Sequence, residues 1–272
     1  MSTRVGFSAL AGGVATLVLV GAAAGAGPWP GLAQSLRAEN GVIYAAAQQA
    51  GATTVTATRG AQVVATKQLK GRFGIPAVTL NGSAGGLSAD GKLLVLAEPP
   101  NYSSLKKLSR FLVLRAPSLR LVRTVTLRGD FGYDALSPDG RTLYLLQHRS
   151  VRSPDYAVRA YNLATGRLYK QVIVDKRTPD EKMNGYPVAR TTTATGDWVY
   201  TLYSKASGEP FVHALNAKGR YAMCVDFAWT GTQDDIWLLR LSLNESDQTL
   251  TVLMPSGATA AKIDTRTLNV LS

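Results

Sequence analysis

A short turn followed by a β-prone run recurs along this chain, and it constrains the fold more than any other feature. The clearest copies are LSADGKLLVLA at residues 87–97 and LSPDGRTLYLL at residues 136–146. Looser copies lie around Gly41, Gly196 and Asp247, so the pattern returns roughly every fifty residues. A fixed period of this length is typical of a fold built from one repeated supersecondary unit.

Each repeat carries further strand signals on both sides of this turn. A strand, a tight turn and a second strand follow it, as in RFLVLRAPSLRLVRTVTL at residues 110–127. A third element precedes it, as in FGYDALS at residues 131–137. Four short antiparallel strands in forty to fifty residues are typical of a β-propeller blade, which buries its two faces by packing against its neighbours. We therefore predict an all-β fold, a β-propeller of about five four-stranded blades over residues 27–272.

Two sequence motifs carry a resemblance to a known group of proteins. The turn and strand SPDGRTLYLL and the hairpins VRAYNLATGRLYKQVIV and AAKIDTRTLNVL resemble the WD40-like and YVTN-type β-propeller repeats of proteins exported by bacteria. The resemblance covers nearly all of the chain after its N-terminal segment. It implies the fold without fixing one function, because such propellers act as binding platforms, periplasmic scaffolds or lactonase-like enzymes.

The N-terminal segment, residues 1–26, predicts export. Arg4 is followed by a run of small apolar residues at 8–26, and AGAG stands just before Pro28. This layout is typical of a secretory signal peptide cleaved after Ala26. The alternative is an uncleaved membrane anchor, because the run approaches the roughly 20 residues that a bilayer requires. Either interpretation places residues 27–272 outside the cytoplasm, secreted or associated with the cell envelope.

The charge composition predicts an acidic partner. The chain has 30 Lys and Arg against 18 Asp and Glu, a net charge of +12, and one cysteine, Cys224, so it forms no internal disulfide. A strongly basic surface attracts anions over a long range. Outside the cytoplasm we expect an envelope protein, an anionic glycan or wall polymer, or anionic lipid headgroups, and no nucleic acid. The alternative is that dispersed Lys and Arg only keep the domain soluble.

Catalytic patterns are weak in this sequence. His148 and His213 are the two histidines, and no HExxH, CxxC or GxSxG motif accompanies them, so we predict no metal site and no cofactor and name no catalytic residue. A glycosidase needs two carboxylates about 5–10 Å apart, and Asp134 is the one well placed for such a role. The remaining conspicuous polar residues belong to the repeated turns and are interpreted as structural: Ser88, Asp90, Ser137 and Asp139.

The strands that precede the repeated turns should line the central channel of a propeller. Aromatic and arginine side chains that converge there are typical ligand contacts. Trp237, in contrast, is interpreted as packing between blades. His148 ends a strand beside a loop and is interpreted as solvated, although it could also contact a ligand at that face. The candidate binding residues are Tyr133, Asp134, Tyr186, Arg190, Arg240, His148 and Arg149.

Two functions fit these patterns. The first is an exported, non-enzymatic propeller that acts as a binding or scaffold module at the cell envelope, for an anionic partner. The second is a lactonase- or glycosidase-like hydrolase that uses the central channel. The weak catalytic patterns favour the first function. The side chains that face the channel should discriminate between the two.

Overall fold

Five antiparallel sheets follow one another along residues 29–271, the part of the chain that the computed structural model describes. The predicted signal segment, residues 1–26, lies outside these described residues. We call the sheets blades 1 to 5 in chain order. A short strand, β1 (Leu32–Ala33), precedes blade 1 and pairs with β6 (Ile75–Pro76), which follows it. Blade 1 contains β2 (Ser35–Arg37), β3 (Val42–Gln49), β4 (Ala52–Arg59) and β5 (Gln62–Lys70).

The other blades repeat the same up-and-down order. Blade 2 contains β7 (Leu93–Ala97), β8 (Leu108–Arg115) and β9 (Arg120–Arg128). Blade 3 contains β10 (Asp130–Leu136), β11 (Thr142–His148), β12 (Tyr156–Asn162) and β13 (Arg167–Leu168). Blade 4 contains β14 (Tyr186–Thr192), β15 (Trp198–Ser204), β16 (Pro210–Asn216) and β17 (Tyr221–Asp226). A four-residue helix, α1 (Gln233–Ile236), leads into blade 5, which contains β18 (Arg240–Asn244), β19 (Thr249–Leu253) and β20 (Thr259–Asp264).

The predicted all-β class is confirmed, and the strand count differs in two blades. Three sheets have four strands, whereas blades 2 and 5 have three. In blade 2 the expected first strand is reduced to a single bridge between Leu87 and Leu94, within a stretch that contains Gly85 and Gly86. Glycines favour such a break because they weaken a strand and leave no side chain to pack. Among residues 29–271, no helix is long and apolar enough to cross a membrane.

Strand β7 shows why the blades pack face to face. Leu94 and Leu96 join the apolar cluster shared with blade 1, while Val95 and Ala97 join the cluster shared with blade 3. Successive side chains of a strand point to opposite faces, so a strand covered on both faces needs an unbroken apolar run. The sequence LLVLA supplies that run.

Among residues 29–271, the blades form an arc in which blades 1 and 5 do not share an apolar cluster. Four apolar clusters each join two neighbouring blades, and among the described residues no fifth cluster joins blade 5 to blade 1. In blade 1, Val55 and Ala57 are fully buried against blade 2, whereas Thr54, Thr56 and Thr58 on the other face of β4 are partly exposed. Sheets stacked side by side in this manner are the arrangement of a β-propeller.

The repeated turns are held by their own side chains. Ser137 Oγ accepts a hydrogen bond from the Thr142 amide at 2.8 Å and donates to Asp139 Oδ1 at 2.5 Å. Asp139 also accepts from the Arg141 amide at 3.0 Å. Gly140 has a φ of 65°, which glycine adopts without strain. Because Ser88 and Asp90 form the same bonds in blade 2, the structural interpretation of these four residues is confirmed.

The fifth repeat departs from the predicted alignment by one residue. Gln248 has a φ of 52°, and its amide donates to the Glu245 carbonyl, as the turn glycines do in other blades. The glycine position is therefore taken by Gln248 and not by Asp247. Asp235, which precedes blade 5, has a structural role, because it forms a capping box with Thr232 at the start of α1.

Candidate functional site

A cavity of about 400 Å³ lies where the first strands of several blades converge. We call it the central cavity. It lies on the side of the blades that carries the Ser-x-Asp-Gly turns, and the turn of blade 2 is part of its lining. Its walls come from four blades, and the segments that contribute most are 36–40 of blade 1, 84–91 of blade 2, 133–136 of blade 3 and 190–194 of blade 4.

An ion pair between blades 3 and 4 occupies the wall of the central cavity. Asp134 is buried, the Arg190 side chain is only 10% exposed, and Arg190 Nη2 donates to Asp134 Oδ1. Arg190 Nη1 donates to the Asp134 carbonyl, and its Nε donates to Thr201 Oγ1 at 2.9 Å. Burial opposes the charge of Arg190, but the Asp134 carboxylate outweighs it and raises the pKa of the guanidinium. Each of the three guanidinium nitrogens of Arg190 thus donates a hydrogen bond within the protein.

A break in strand register directs Asp134 toward its partner. The pairing of β10 with β11 shifts between Tyr133 and Ala135, which leaves Asp134 as an extra residue. Such a bulge redirects a side chain that would otherwise follow the alternation of the strand. Strand β14 of blade 4 has a matching shift between Pro187 and Ala189. Asp134 and Arg190, both predicted to lie near the channel, therefore form a contact between blades.

Three acidic side chains line the central cavity, and two of them are bound to cations. Asp134 is bound to Arg190, and Asp90 is held in its turn by Ser88 and by the Lys92 ammonium group at 3.0 Å. The third acid, Glu39, is exposed on the blade 1 turn. A glycosidase uses two carboxylates about 5–10 Å apart, and here Asp134 and Asp90 are each engaged in an ion pair.

Tyr133 packs beneath the cavity wall and is nearly covered. Burial raises the pKa of its phenol well above the ordinary value. A β-carbon at Gly85 would lie only 2.9 Å from Tyr133 Cε1, so the glycine provides the space that this ring occupies. Tyr186 lies outside the cavity, with its ring centroid 5.9 Å from that of Trp237. Trp237 itself is 37% exposed.

His148 is buried, and its interpretation as a solvated residue is wrong. The ring of Trp29 stacks on it with centroids 3.9 Å apart and planes within 7°. His148 Nδ1 lies 3.3 Å from Asp130 Oδ1. Trp29 follows the predicted cleavage site by three residues, so the chain covers His148 with its own N-terminal part. That contact spans more than one hundred residues and has no local sequence signal.

Two other candidates lie apart from the central cavity. Arg149 is exposed in the loop after β11, beside Asp155. Arg240 is exposed at the start of β18, where its Nη2 donates to the Pro255 carbonyl at 3.4 Å. The structure thus brings Tyr133, Asp134 and Arg190 together and leaves Tyr186, Arg240, His148 and Arg149 elsewhere. Whether any of the seven binds a ligand stays a prediction.

The thiol and imidazole of blade 4 form a neutral pair. Cys224 Sγ lies 3.6 Å from His213 Nδ1. Burial raises the pKa of the thiol, and burial lowers the pKa of His213 to about 4. A protonated thiol is a poor nucleophile, so this pair lacks the charge separation of an activated cysteine. Among the described residues, no group of three His, Cys, Asp or Glu side chains could hold a metal ion.

Positive charge is concentrated in the first three blades. Residues 29–174 contain 19 Lys and Arg against 7 Asp and Glu, whereas residues 175–272 contain 10 against 11. The formal net charge is therefore 19 − 7 = +12 for residues 29–174 and 10 − 11 = −1 for residues 175–272. Blades 1 to 3 carry the whole excess of positive charge outside the N-terminal segment. A count along the sequence would have found this asymmetry, but only the fold shows that it corresponds to neighbouring blades.

No protein-family model and no curated protein matches the chain. The resemblance to WD40-like and YVTN-type repeats therefore stays a prediction at the level of family. Solved structures do match. They include hydrazine synthase from Kuenenia stuttgartiensis, with 14% identity, a TM-score of 0.45 and coverage of 91% of this chain and 80% of that chain.

Two further matches have similar values. TolB from Acinetobacter baumannii has 11% identity and a TM-score of 0.45, with coverage of 85% of this chain and 53% of that chain. The β-propeller domain of Cps50 (Swd1) from Myceliophteria thermophila has 14% identity and a TM-score of 0.47, with coverage of 87% and 65%. At these values nothing about activity, ligand or location follows for this chain.

Replacing Arg190 by Met should test whether the central ion pair is structural. The change leaves the Asp134 carboxylate buried without its partner, which should lower the free energy of unfolding by about 3–5 kcal/mol. The exposed pair of Lys205 and Asp226, 2.7 Å apart, provides the control. Lys205→Met should cost no more than about 1 kcal/mol. Urea denaturation measures both, and equal losses would contradict the structural assignment.

The neutral state of His213 predicts a loss of stability in acid. Its pKa is about 4 in the folded chain, against about 6.5 in an unfolded one. Between these values the unfolded state binds a proton that the folded state does not, so stability falls as pH decreases, by up to about 3 kcal/mol. Urea denaturation from pH 7 to pH 4 should show a flatter profile for His213→Leu. Parallel profiles for the two proteins would refute this.

Proposed function

We propose that this chain is an exported binding or scaffold module of the cell envelope that recognises an anionic partner through blades 1 to 3. The observation that carries the proposal is the segregation of charge between the blades. Dispersed solubilising charge would give every blade a similar excess of Lys and Arg. Here blades 4 and 5 are close to neutral, and the whole excess lies on the other side of the arc.

Concentrated charge acts differently from dispersed charge. The electrostatic potentials of Lys and Arg side chains on neighbouring blades add together, and the combined potential raises the local concentration of anions. The Debye length is about 8 Å at physiological salt, so this reinforcement requires the charges to be close. Blade 2 meets this condition best, because the chain has no acidic residue between Glu98 and Asp130 and seven Lys and Arg in that interval.

The state of the buried polar groups supports binding over catalysis. Asp134, the acid placed best for a hydrolase, is already paired with Arg190, and each guanidinium nitrogen of Arg190 donates a hydrogen bond inside the protein. Cys224 and His213 form a neutral pair. The hydrolase alternative thus rests on the presence of a central cavity alone, and cavities of this kind occur in propellers of many functions.

Export can be tested on the expressed full-length chain. If residues 1–26 are a signal peptide, the chain should be found outside the cytoplasm with a new N-terminus at residue 27. Cell fractionation followed by mass spectrometry of the N-terminus makes the measurement. An envelope-bound chain that keeps its first residues would support the anchor alternative. A soluble cytoplasmic chain of full length would refute export.

Binding of soluble polyanions should depend on which blades carry the cations. The full chain should be retained on an immobilised polyanion and released as salt rises. Lys67→Gln/Lys70→Gln/Lys107→Gln, in blades 1 and 2, should elute at clearly lower salt than the unaltered chain. The control Lys182→Gln/Lys218→Gln/Lys262→Gln removes the same charge from blades 4 and 5 and should elute close to the unaltered chain. Equal shifts for the two variants would contradict the assignment to blades 1 to 3.

A further inference from the structure

The hairpin turn between β8 and β9 places cations and exposed apolar side chains side by side. Arg115 ends β8 and Arg120 begins β9, and the two are direct cross-strand partners. Leu121 is 40% exposed and Val122 is 46% exposed. Arg123 follows them on the same strand. We call this set, Arg115 and Arg120–Arg123, the blade 2 rim.

Packing behind the turn fixes the blade 2 rim in this exposed position. Leu119 is completely buried in the cluster between blades 1 and 2, so the turn is anchored against blade 1. The pairing of β8 with β9 shifts between Val113 and Leu114, which leaves Val122 as an extra residue without a cross-strand partner. The anchored turn and the register shift together hold Leu121 and Val122 in positions exposed to solvent.

The charges of the blade 2 rim are available to an external anion. Among the described residues, the guanidinium groups of Arg115 and Arg120 take part in no salt bridge and no hydrogen bond. Arg123 Nη2 donates to the Ala164 carbonyl of blade 3 at 3.3 Å, a neutral acceptor. Two like charges placed directly opposite each other destabilise a hairpin. An anion that bridges them would remove that cost.

Blade 1 repeats this combination next to the rim of blade 2. Arg59 ends β4, and Val63 and Val64 of β5 are 59% and 41% exposed. Val64 is again the extra residue at a register shift, between Ala57 and Thr58 of the partner strand. Two neighbouring blades therefore present arginine and exposed aliphatic side chains at equivalent positions of their hairpins.

The chemistry of this surface fits a lipid interface better than a soluble polymer. A soluble polyanion needs only the cations and gains nothing from uncovered aliphatic side chains. At a bilayer surface, guanidinium groups bind headgroup phosphates while neighbouring apolar side chains enter the boundary of the acyl region. We propose that the blade 2 rim, continued by the equivalent positions of blade 1, docks on an anionic phospholipid surface. This inference rests on the proposed function and names its partner.

An environment-sensitive fluorophore on the blade 2 rim would test this docking. The full chain carries Val122→Cys in a Cys224→Ser background, so that the dye attaches at one position. The matched control carries Val270→Cys, because Val270 is 44% exposed but belongs to blade 5. The probes are phosphatidylcholine vesicles with or without phosphatidylglycerol. The dye at position 122 should shift to the blue only on anionic vesicles, and the dye at position 270 should not shift.

The contribution of the arginines can be measured on the same vesicles. Arg115→Gln/Arg120→Gln should weaken partitioning onto anionic vesicles by roughly 30-fold, since each cation near an anionic surface contributes about fivefold. Lys218→Gln/Arg266→Gln removes the same charge from the hairpin turns of blades 4 and 5 and should change it by no more than about twofold. Leu121→Ser/Val122→Ser keeps the charge and should also weaken partitioning.

The outcomes separate this inference from the proposed function. An apolar N-terminal segment would hold the chain on both kinds of vesicle, but it would not distinguish a dye at position 122 from one at position 270. A dye at position 122 that stays in water, or an equal shift at both positions, overturns the lipid inference. If the chain still binds a soluble polyanion through blades 1 to 3, the proposed function stands without it. If it binds neither, both proposals fail.

Discussion

Contact between the faces of neighbouring sheets is the constraint on which the rest of the structure depends. No single blade can bury two faces, so each inner blade must present apolar side chains on both sides of every central strand. Blades 2 to 4 meet this requirement with unbroken runs such as LLVLA and TLYLL. This stacking also brings the first strands of the blades together, and the central cavity and the contact between the bulged strands of blades 3 and 4 lie where they converge.

The same constraint determines where charged side chains are paired and where they are exposed to solvent. Stacking brings the first strands of the blades together at the centre, where their polar groups pair with one another, as Asp134 and Arg190 do. A buried charge without a partner is costly, so an interior position favours such pairs. On the hairpin of blade 2, in contrast, Arg115 and Arg120 are exposed and take part in no ion pair among the described residues. The interior charges of this region are therefore paired, whereas those of the blade 2 rim are not.

The candidate site shows how far reasoning from the sequence reaches. The position of FGYDALS before a repeated turn predicts that Asp134 lies near the channel. Asp134 does line the central cavity, and a bulge there accompanies its contact with Arg190 of blade 4. The burial of His148 could not be predicted, because Trp29, which covers it, has no repeat or motif to announce the contact. The free face of blade 1, in contrast, has a signal in TTVTATR, whose threonines alternate with buried apolar residues. A regular alternation of this kind indicates a strand covered on one side only.

The sequence by itself determined the period, the chemistry of the turns, the all-β class and the uneven distribution of charge, because each of these depends on residues close together in the chain. Only the tertiary structure decided which candidates meet. Arg190 bonds to a residue 56 positions away, and Trp29 stacks on a ring in blade 3. It also decided that Leu121 and Val122, beside the arginines of blade 2, are exposed. Such relations depend on which distant residues the packing of the sheets brings together, and the local pattern around a residue does not identify its distant partner.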